Sequence, residues 1–181
     1  IAAARRAFDA TGWATDAALR ARCLRQLHAG LVAEKEQLRS IVVREAGAPI
    51  ALTPFMQVDD PIDMLEYWAR KAETAVYEQP MADVSFLGRP QRRILRREAM
   101  GVVGAITPWN APLLLNITKI GAALAAGCAV VLKPAPDTPW SATHLGRIAT
   151  AATDLPPGVL NIVASSDPLV GEALVRDPRV D

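Results

Sequence analysis

The segment Gly101–Pro139, GVVGAITPWNAPLLLNITKIGAALAAGCAVVLKPAPDTP, constrains the fold more than any other part of the chain. Two short apolar runs, Val102–Ile106 and Cys128–Leu132, have strand length and are rich in β-branched residues. Between them lies a longer stretch from about Pro112 to Ala126 that suits a helix ended by Gly127. Strands joined through a helix must pair in parallel, because a crossover of that length cannot make a hairpin. Polar residues fall where the strands end: Thr107 and Asn110 after the first, Lys133 after the second. In open parallel sheets, ligands bind in the crevice outside the carboxyl ends of the strands.

The same alternation continues downstream. Thr138-Pro139 reads as the cap of a helix reaching about Thr153, Pro156-Pro157-Gly158 turns into a strand over Val159–Val163, and Asp167-Pro168 opens a last helix. Three strands separated by helices imply a parallel sheet with right-handed crossovers. Upstream, the pattern from Thr15 to Gly47 is helical: Leu19, Cys23, Leu27 and Leu31 recur every four residues, and Leu38, Ile41, Val42 and Glu45 form a second stripe. Thr15 or Asp16 is placed to cap this region, and Gly47 to end it. Asp60-Pro61 opens another helix through Met64, Leu65, Trp68 and Ala72. Residues 81–98 read as a β-hairpin, with Gly88-Arg89-Pro90 at its turn among five arginines (Arg89, Arg92, Arg93, Arg96, Arg97). The organisation is therefore 1–80 helical, 81–98 hairpin and 99–181 successive βα units.

Composition narrows the function classes. A net charge of +1 gives no general attraction to nucleic acid or anionic membrane. No apolar run approaches the roughly 20 residues that span a bilayer, and the start, IAAARRAFDATGW, lacks the apolar region of a secretory signal. Two cysteines, Cys23 and Cys128, make neither a disulfide framework nor a metal cluster, so a reduced, cytoplasmic protein is expected. The chain begins at Ile1 inside a helical pattern and stops at Asp181, just after Arg179-Val180, where a strand is expected to start. It reads as a piece of a longer protein.

Asn110 is the first candidate for chemistry. A carboxamide beside a strand-end turn can donate to a developing oxyanion, a contact worth about 3 kcal/mol in acyl transfer; the alternative is an Asn that merely caps the next helix. Pro108 and Pro112 restrict the turn. Lys133 can hold a ribose hydroxyl or a phosphate, or can simply reach solvent. Lys119 lies nine residues after Asn110, roughly across the helix, where a solvated lysine is the plainer reading. Both cysteines fall in apolar patterns, which raise a thiol's pKa and make it inert. No G-x-G-x-x-G is present.

ITPWNAP, the following Lys119, GCAVVLKPAPDTP, RREAMGVVG, LPPGVLNIV and the early helices ending in GAP together resemble the aldehyde dehydrogenase superfamily, in order and spacing. The resemblance implies an α/β fold in which N-terminal helices and a β-hairpin arm lead into a partial Rossmann-like parallel sheet with flanking helices. It implies NAD(P)-dependent oxidation of an aldehyde through a cysteine thioester. Asn110 then matches the oxyanion-hole asparagine. Ile106, Thr107, Pro108 and Trp109 match the segment lining the nicotinamide half of the cofactor site. Lys119 matches a lysine with a supporting electrostatic role, and Lys133 the lysine that binds the adenosine ribose. Ala135 and Pro136 follow in the cofactor segment, and Asp167-Pro168 stands where many members have Gly-Pro against the adenine.

The resemblance also implies a homodimer or homotetramer joined through the hairpin, and a small-molecule aldehyde as partner; Met56 to Trp68 is a candidate wall for it. Many NAD-preferring members carry a glutamate where this chain has Pro136, so either NAD or NADP is expected to serve. The family's glycine motif, general-base glutamate and nucleophilic cysteine fall beyond Asp181, so the 181 residues alone are expected to be inactive. Two rival readings are a silent binding or oligomerisation module and a CoA-acylating or phosphate-reducing relative.

Overall fold

The computed structural model describes all 181 residues, Ile1 to Asp181. Helix α1 (Ala2–Ala10) is followed by a short 3-10 turn and by α2 (Ala17–Ala33), whose start is capped by Asp16 accepting from the Leu19 N–H at 2.8 Å. The long helical pattern is broken at Glu34, so α3 (Lys35–Ala46) is a separate helix. Gly47 ends it at φ +66, a left-handed conformation that glycine adopts without steric cost. After an irregular turn over Thr53–Gln57, interrupted at Phe55, α4 spans Asp59–Thr74.

The hairpin is longer than the sequence pattern indicates. Strand β1 (Glu78–Phe86) pairs antiparallel with β2 (Arg89–Arg96). Its turn is Leu87-Gly88, both with positive φ (50 and 75), the two-residue geometry whose twist matches that of the flanking strands. Pro90 lies inside β2 opposite Ser85, not in the turn. Every residue of both strands is exposed, including Met81, Val84, Phe86 and Ile94.

Strand β3 (Val102–Ile106), helix α5 (Pro112–Ala126), strand β4 (Ala129–Lys133), helix α6 (Trp140–Ala152), strand β5 (Leu160–Ile162) and helix α7 (Pro168–Arg176) complete the chain. The three strands form a parallel sheet ordered β3-β4-β5, with Ile106 abreast of Lys133 at its carboxyl end. Residues alternate between two faces, as the pleat requires. Ala105, Val130 and Leu132 join the main core with α2, α4, α5 and α6. Val102, Ala129 and Val131 pack instead with Ala4 of α1 and Leu174 of α7. The sheet is thus covered on both sides, the arrangement expected of parallel strands.

One local expectation is corrected. Thr138 does not cap α6: its hydroxyl is buried without a partner, and the first amides of the helix are held by Glu45 of α3. Beside β3, Asp181 donates its N–H to Val102 O at 3.0 Å, and its carboxylate accepts from the Val102 N–H at 2.8 Å. Arg5 donates to the same carboxylate at 2.8 Å.

One buried cation organises the corner beneath the hairpin. Arg20, 1% exposed, donates to Ala125 O (3.1 Å), Trp13 O and Ala14 O (both 3.0 Å) and the Tyr77 hydroxyl (2.5 Å). Main-chain carbonyls satisfy its donors where no carboxylate is available. Burial of a charge is tolerable only under such complete hydrogen bonding.

Candidate functional site

The carboxyl ends of β3 and β4 are bound to each other beyond the sheet proper. Thr107, the first residue after β3, donates its N–H to Lys133 O at 3.2 Å. Its hydroxyl donates to Asn116 Oδ1 at 2.6 Å, and both side chains are buried (3% and 0% exposed). Asn116 stands in the second turn of α5, so the helix reaches back to grip the strand end it follows.

From Thr107 the chain turns outward through Pro108, Trp109 and Asn110, all exposed. Pro112 occupies the first position of α5, where its missing N–H costs nothing. The cap position is Ala111, and no side chain caps the helix. Asn110 is therefore not a helix cap: its carboxamide makes no hydrogen bond, while its main-chain oxygen accepts from Gln57 Nε2 at 3.4 Å. The turn is held at its start by Asn116 and at its end by Gln57, which leaves the Asn110 side chain free to meet a ligand.

Lys133 is 8% exposed. Its Nζ has one contact, a long 3.5 Å bond to Pro134 O, and no carboxylate pairs with it. Its stem runs beside Gly171 of α7, where a Cβ would lie 3.6 Å from Cδ. A nearly buried ammonium with unused donors at a strand end fits an oxygen-rich ligand such as a ribose. Ala135 is buried and Pro136 exposed. Asp167 caps α7, its Oδ1 accepting from the Leu169 N–H at 2.9 Å, and Pro168 takes the first helical position; both are exposed. Lys119 is exposed and forms neither a hydrogen bond nor an ion pair, two turns beyond Pro112.

The structure therefore joins Thr107 and Lys133 directly, projects Ile106, Pro108, Trp109 and Asn110 beside them, and brings α7 against the Lys133 stem. Lys119 stands outside this cluster. Two buried carboxamides, Asn116 and Gln57, escaped the reading of the sequence. Asn116 could have been found, since it interrupts the apolar stripe Leu113, Ile117, Ile120, Leu124. Gln57 lies in an irregular turn and carries no periodic signal.

Neither thiol belongs to the site. Cys128 precedes the amino end of β4, opposite Lys133, and Cys23 is buried on α2, where desolvation pushes its pKa to about 11. No group of His, Cys, Asp and Glu is placed to hold a metal ion. A hollow of about 860 Å³ between α6 and the Leu155–Leu160 segment is lined by none of Thr107, Asn110 or Lys133. The chemistry of the strand ends, not cavity size, identifies the site.

The aldehyde dehydrogenase family model matches residues 1–181. A mitochondrial succinate-semialdehyde dehydrogenase from Arabidopsis thaliana is 36% identical over 99% of this chain, and a geranial dehydrogenase from Castellaniella defragrans 40% identical over its whole length. The chain spans 33% and 37% of those two relatives, about a third of each. Among solved structures, a Mycobacterium tuberculosis aldehyde dehydrogenase in complex with NAD+ superposes with a TM-score of 0.90 at 34% identity, covering 99% of this chain and 36% of that one. A Pseudomonas syringae aldehyde dehydrogenase mutant solved with NAD+ and octanal gives 0.88, also at 34%, with 99% and 35% covered. With a family model matched from end to end and the same mixed α/β architecture, this chain belongs to the aldehyde dehydrogenase family, of which it represents the N-terminal region.

Proposed function

We propose that this chain provides the cofactor-facing part of an enzyme that oxidises an aldehyde to a carboxylic acid with NAD or NADP. The observation that carries the reading is the free carboxamide of Asn110, on a turn fixed at both ends beside the unpaired Lys133. Lys133 holds the ribose of the cofactor, with Ala135, Pro136, Asp167 and Pro168 around its adenosine half. Ile106, Thr107, Pro108 and Trp109 flank its nicotinamide half. Bound there, the cofactor supplies the hydride acceptor. Asn110 donates to the aldehyde oxygen as that atom becomes an oxyanion under attack by a thiolate. The thiolate belongs to a part of the protein beyond these residues, since Cys23 and Cys128 are both remote and buried. Lys119, on the helix α5 that follows the Asn110 turn, adds positive charge outside this cluster. The 181 residues alone are accordingly inactive.

The test is Asn110→Ala in the full-length protein. Turnover should fall by roughly 10²–10³-fold, the typical loss of one oxyanion donor, with cofactor affinity nearly intact. Unchanged turnover would remove Asn110 from the mechanism.

A second role is favoured by the hairpin, whose strands are exposed along their whole length and whose Phe86, Leu87 and Ile94 are left uncovered. Contact with a second copy of the chain would cover them, giving a homodimer or homotetramer. Sedimentation of the isolated 1–181 piece decides: a folded monomer at micromolar concentration speaks against the assembly role.

A further inference from the structure

Asn116 is a poor choice for stability alone. It occupies a fully buried position on the apolar stripe of α5, and its Nδ2 has no hydrogen-bond partner. Burying an unsatisfied amide is destabilising, and an apolar residue of the same shape would serve the core at least as well. What Asn116 does provide is one acceptor, Oδ1, taken by the Thr107 hydroxyl at 2.6 Å. Thr107 is three residues before Asn110, and its N–H is already committed to Lys133 O. The hydroxyl bond is the only side-chain tether between the strand end and the helix that bracket the Pro108–Ala111 turn.

We propose that Asn116 is a positioning residue: through Thr107 it fixes where the turn leaves the sheet, and so where the Asn110 carboxamide points. Polar residues that break a core pattern at a cost in stability are expected where function demands a particular geometry. Displacement of a reacting group by about 1 Å can cost about a hundredfold in rate without altering any contact to substrate. The inference rests on the reading of Asn110 as an oxyanion donor, and deepens it.

The experiment is a double-mutant cycle in the full-length protein. Asn116→Leu removes the acceptor while keeping the branching and heavy-atom count of the side chain, and Thr107→Val removes the donor from the other end. Either change should lower kcat by about tenfold or more, with the KM for the cofactor within about twofold. Each leaves a buried partner unsatisfied and should lower the melting temperature, whereas the paired Thr107→Val, Asn116→Leu variant removes both partners and should regain much of that loss while its kcat stays low. In an Asn110→Ala background neither should lower kcat further, because the group being aimed is gone. A loss that multiplies with that of Asn110→Ala, or a kcat that recovers together with the melting temperature in the paired variant, would overturn the positioning role. So would an Asn116→Leu enzyme as fast as the parent. If Asn110→Ala itself leaves turnover intact, the oxyanion reading has failed, and the inference falls with it.

Discussion

The Glu45 carboxylate caps a helix 95 residues away: Oε2 accepts from the Trp140 N–H at 2.7 Å and Oε1 from the Ser141 N–H at 3.1 Å. Pro139 stands at the cap position of α6 and has no side-chain acceptor. The last turn of α3 supplies one instead, and its negative charge meets the positive end of the helix dipole. Because α6 begins seven residues after Lys133, the same contact anchors the far end of the segment that follows β4. Glu45→Ala should destabilise the fold by about 1–2 kcal/mol, the upper range for a lost cap, and Glu45→Gln by less. Chemical denaturation midpoints read both. Equal midpoints for wild type and Glu45→Ala would mean that the amides are satisfied equally well by water.

The contrast with Thr138 shows what a sequence can carry. A cap supplied within three residues leaves a local signature, and Asp16 and Asp167 were both legible in that way. A cap supplied from another helix leaves none. The βα alternation was legible for the same reason: Val102–Ile106 and Pro112–Ala126 match the structure residue for residue, since periodicity and Gly127 act locally. The hairpin boundaries were less legible. Leu87 at positive φ is an unusual turn residue, and Gly88-Arg89-Pro90 drew the turn one position too late. Arg20 was invisible altogether, because an arginine on a helix reads as solvated until Ala125 O and the Tyr77 hydroxyl, from distant segments, join the nearby Trp13 and Ala14 carbonyls around it.

Packing beneath the site makes a sharp prediction about two helical glycines. A Cβ on Gly121 of α5 would lie 2.5 Å from Trp68 Cδ1 of α4, a contact that a rigid indole cannot relieve without moving. Gly121→Ala should therefore destabilise by about 1–3 kcal/mol through overpacking. A Cβ on Gly171 would meet only the Lys133 stem, at ordinary contact distance. Gly171→Ala should leave stability unchanged or raise it by up to about 1 kcal/mol, the helical preference of alanine over glycine. Opposite signs in thermal unfolding support this account, and a tolerated Gly121→Ala contradicts it.

Burial pushes the Cys23 thiol up to about 11, above its ordinary value of 9.0, because the thiolate would lose solvation. The folded state thus holds this proton more tightly than the unfolded state. The stability contributed is fully present below pH 9 and is lost as pH rises through about 11. Cys128 is buried as well. In the native 1–181 chain at pH 8, both thiols should react with a chromogenic disulfide at least about a hundredfold more slowly than in denaturant. Immediate labelling of one thiol in the folded chain would show an open path to it and reopen the question of a local nucleophile.

With the cofactor's ribose held by Lys133 as proposed, cofactor choice should turn on Pro136, exposed three residues after that nearly buried lysine. A carboxylate at that position would accept from a ribose 2′-hydroxyl and repel a 2′-phosphate, whereas proline does neither. Specificity of this kind depends on the repulsive element as much as on the attractive one. The full-length protein should accordingly use NAD and NADP with comparable Michaelis constants. Introducing the missing charge by Pro136→Glu should raise the constant for NADP by about tenfold or more, equivalent to about 1.4 kcal/mol, while changing that for NAD far less. Because Pro136 is exposed, the substitution should fold normally, and unfolding midpoints of wild type and variant check that. Equal responses to the two cofactors would place the 2′ position of the ribose elsewhere. A wild-type preference for NAD of about a thousandfold would require another group in the complete protein to exclude the phosphate.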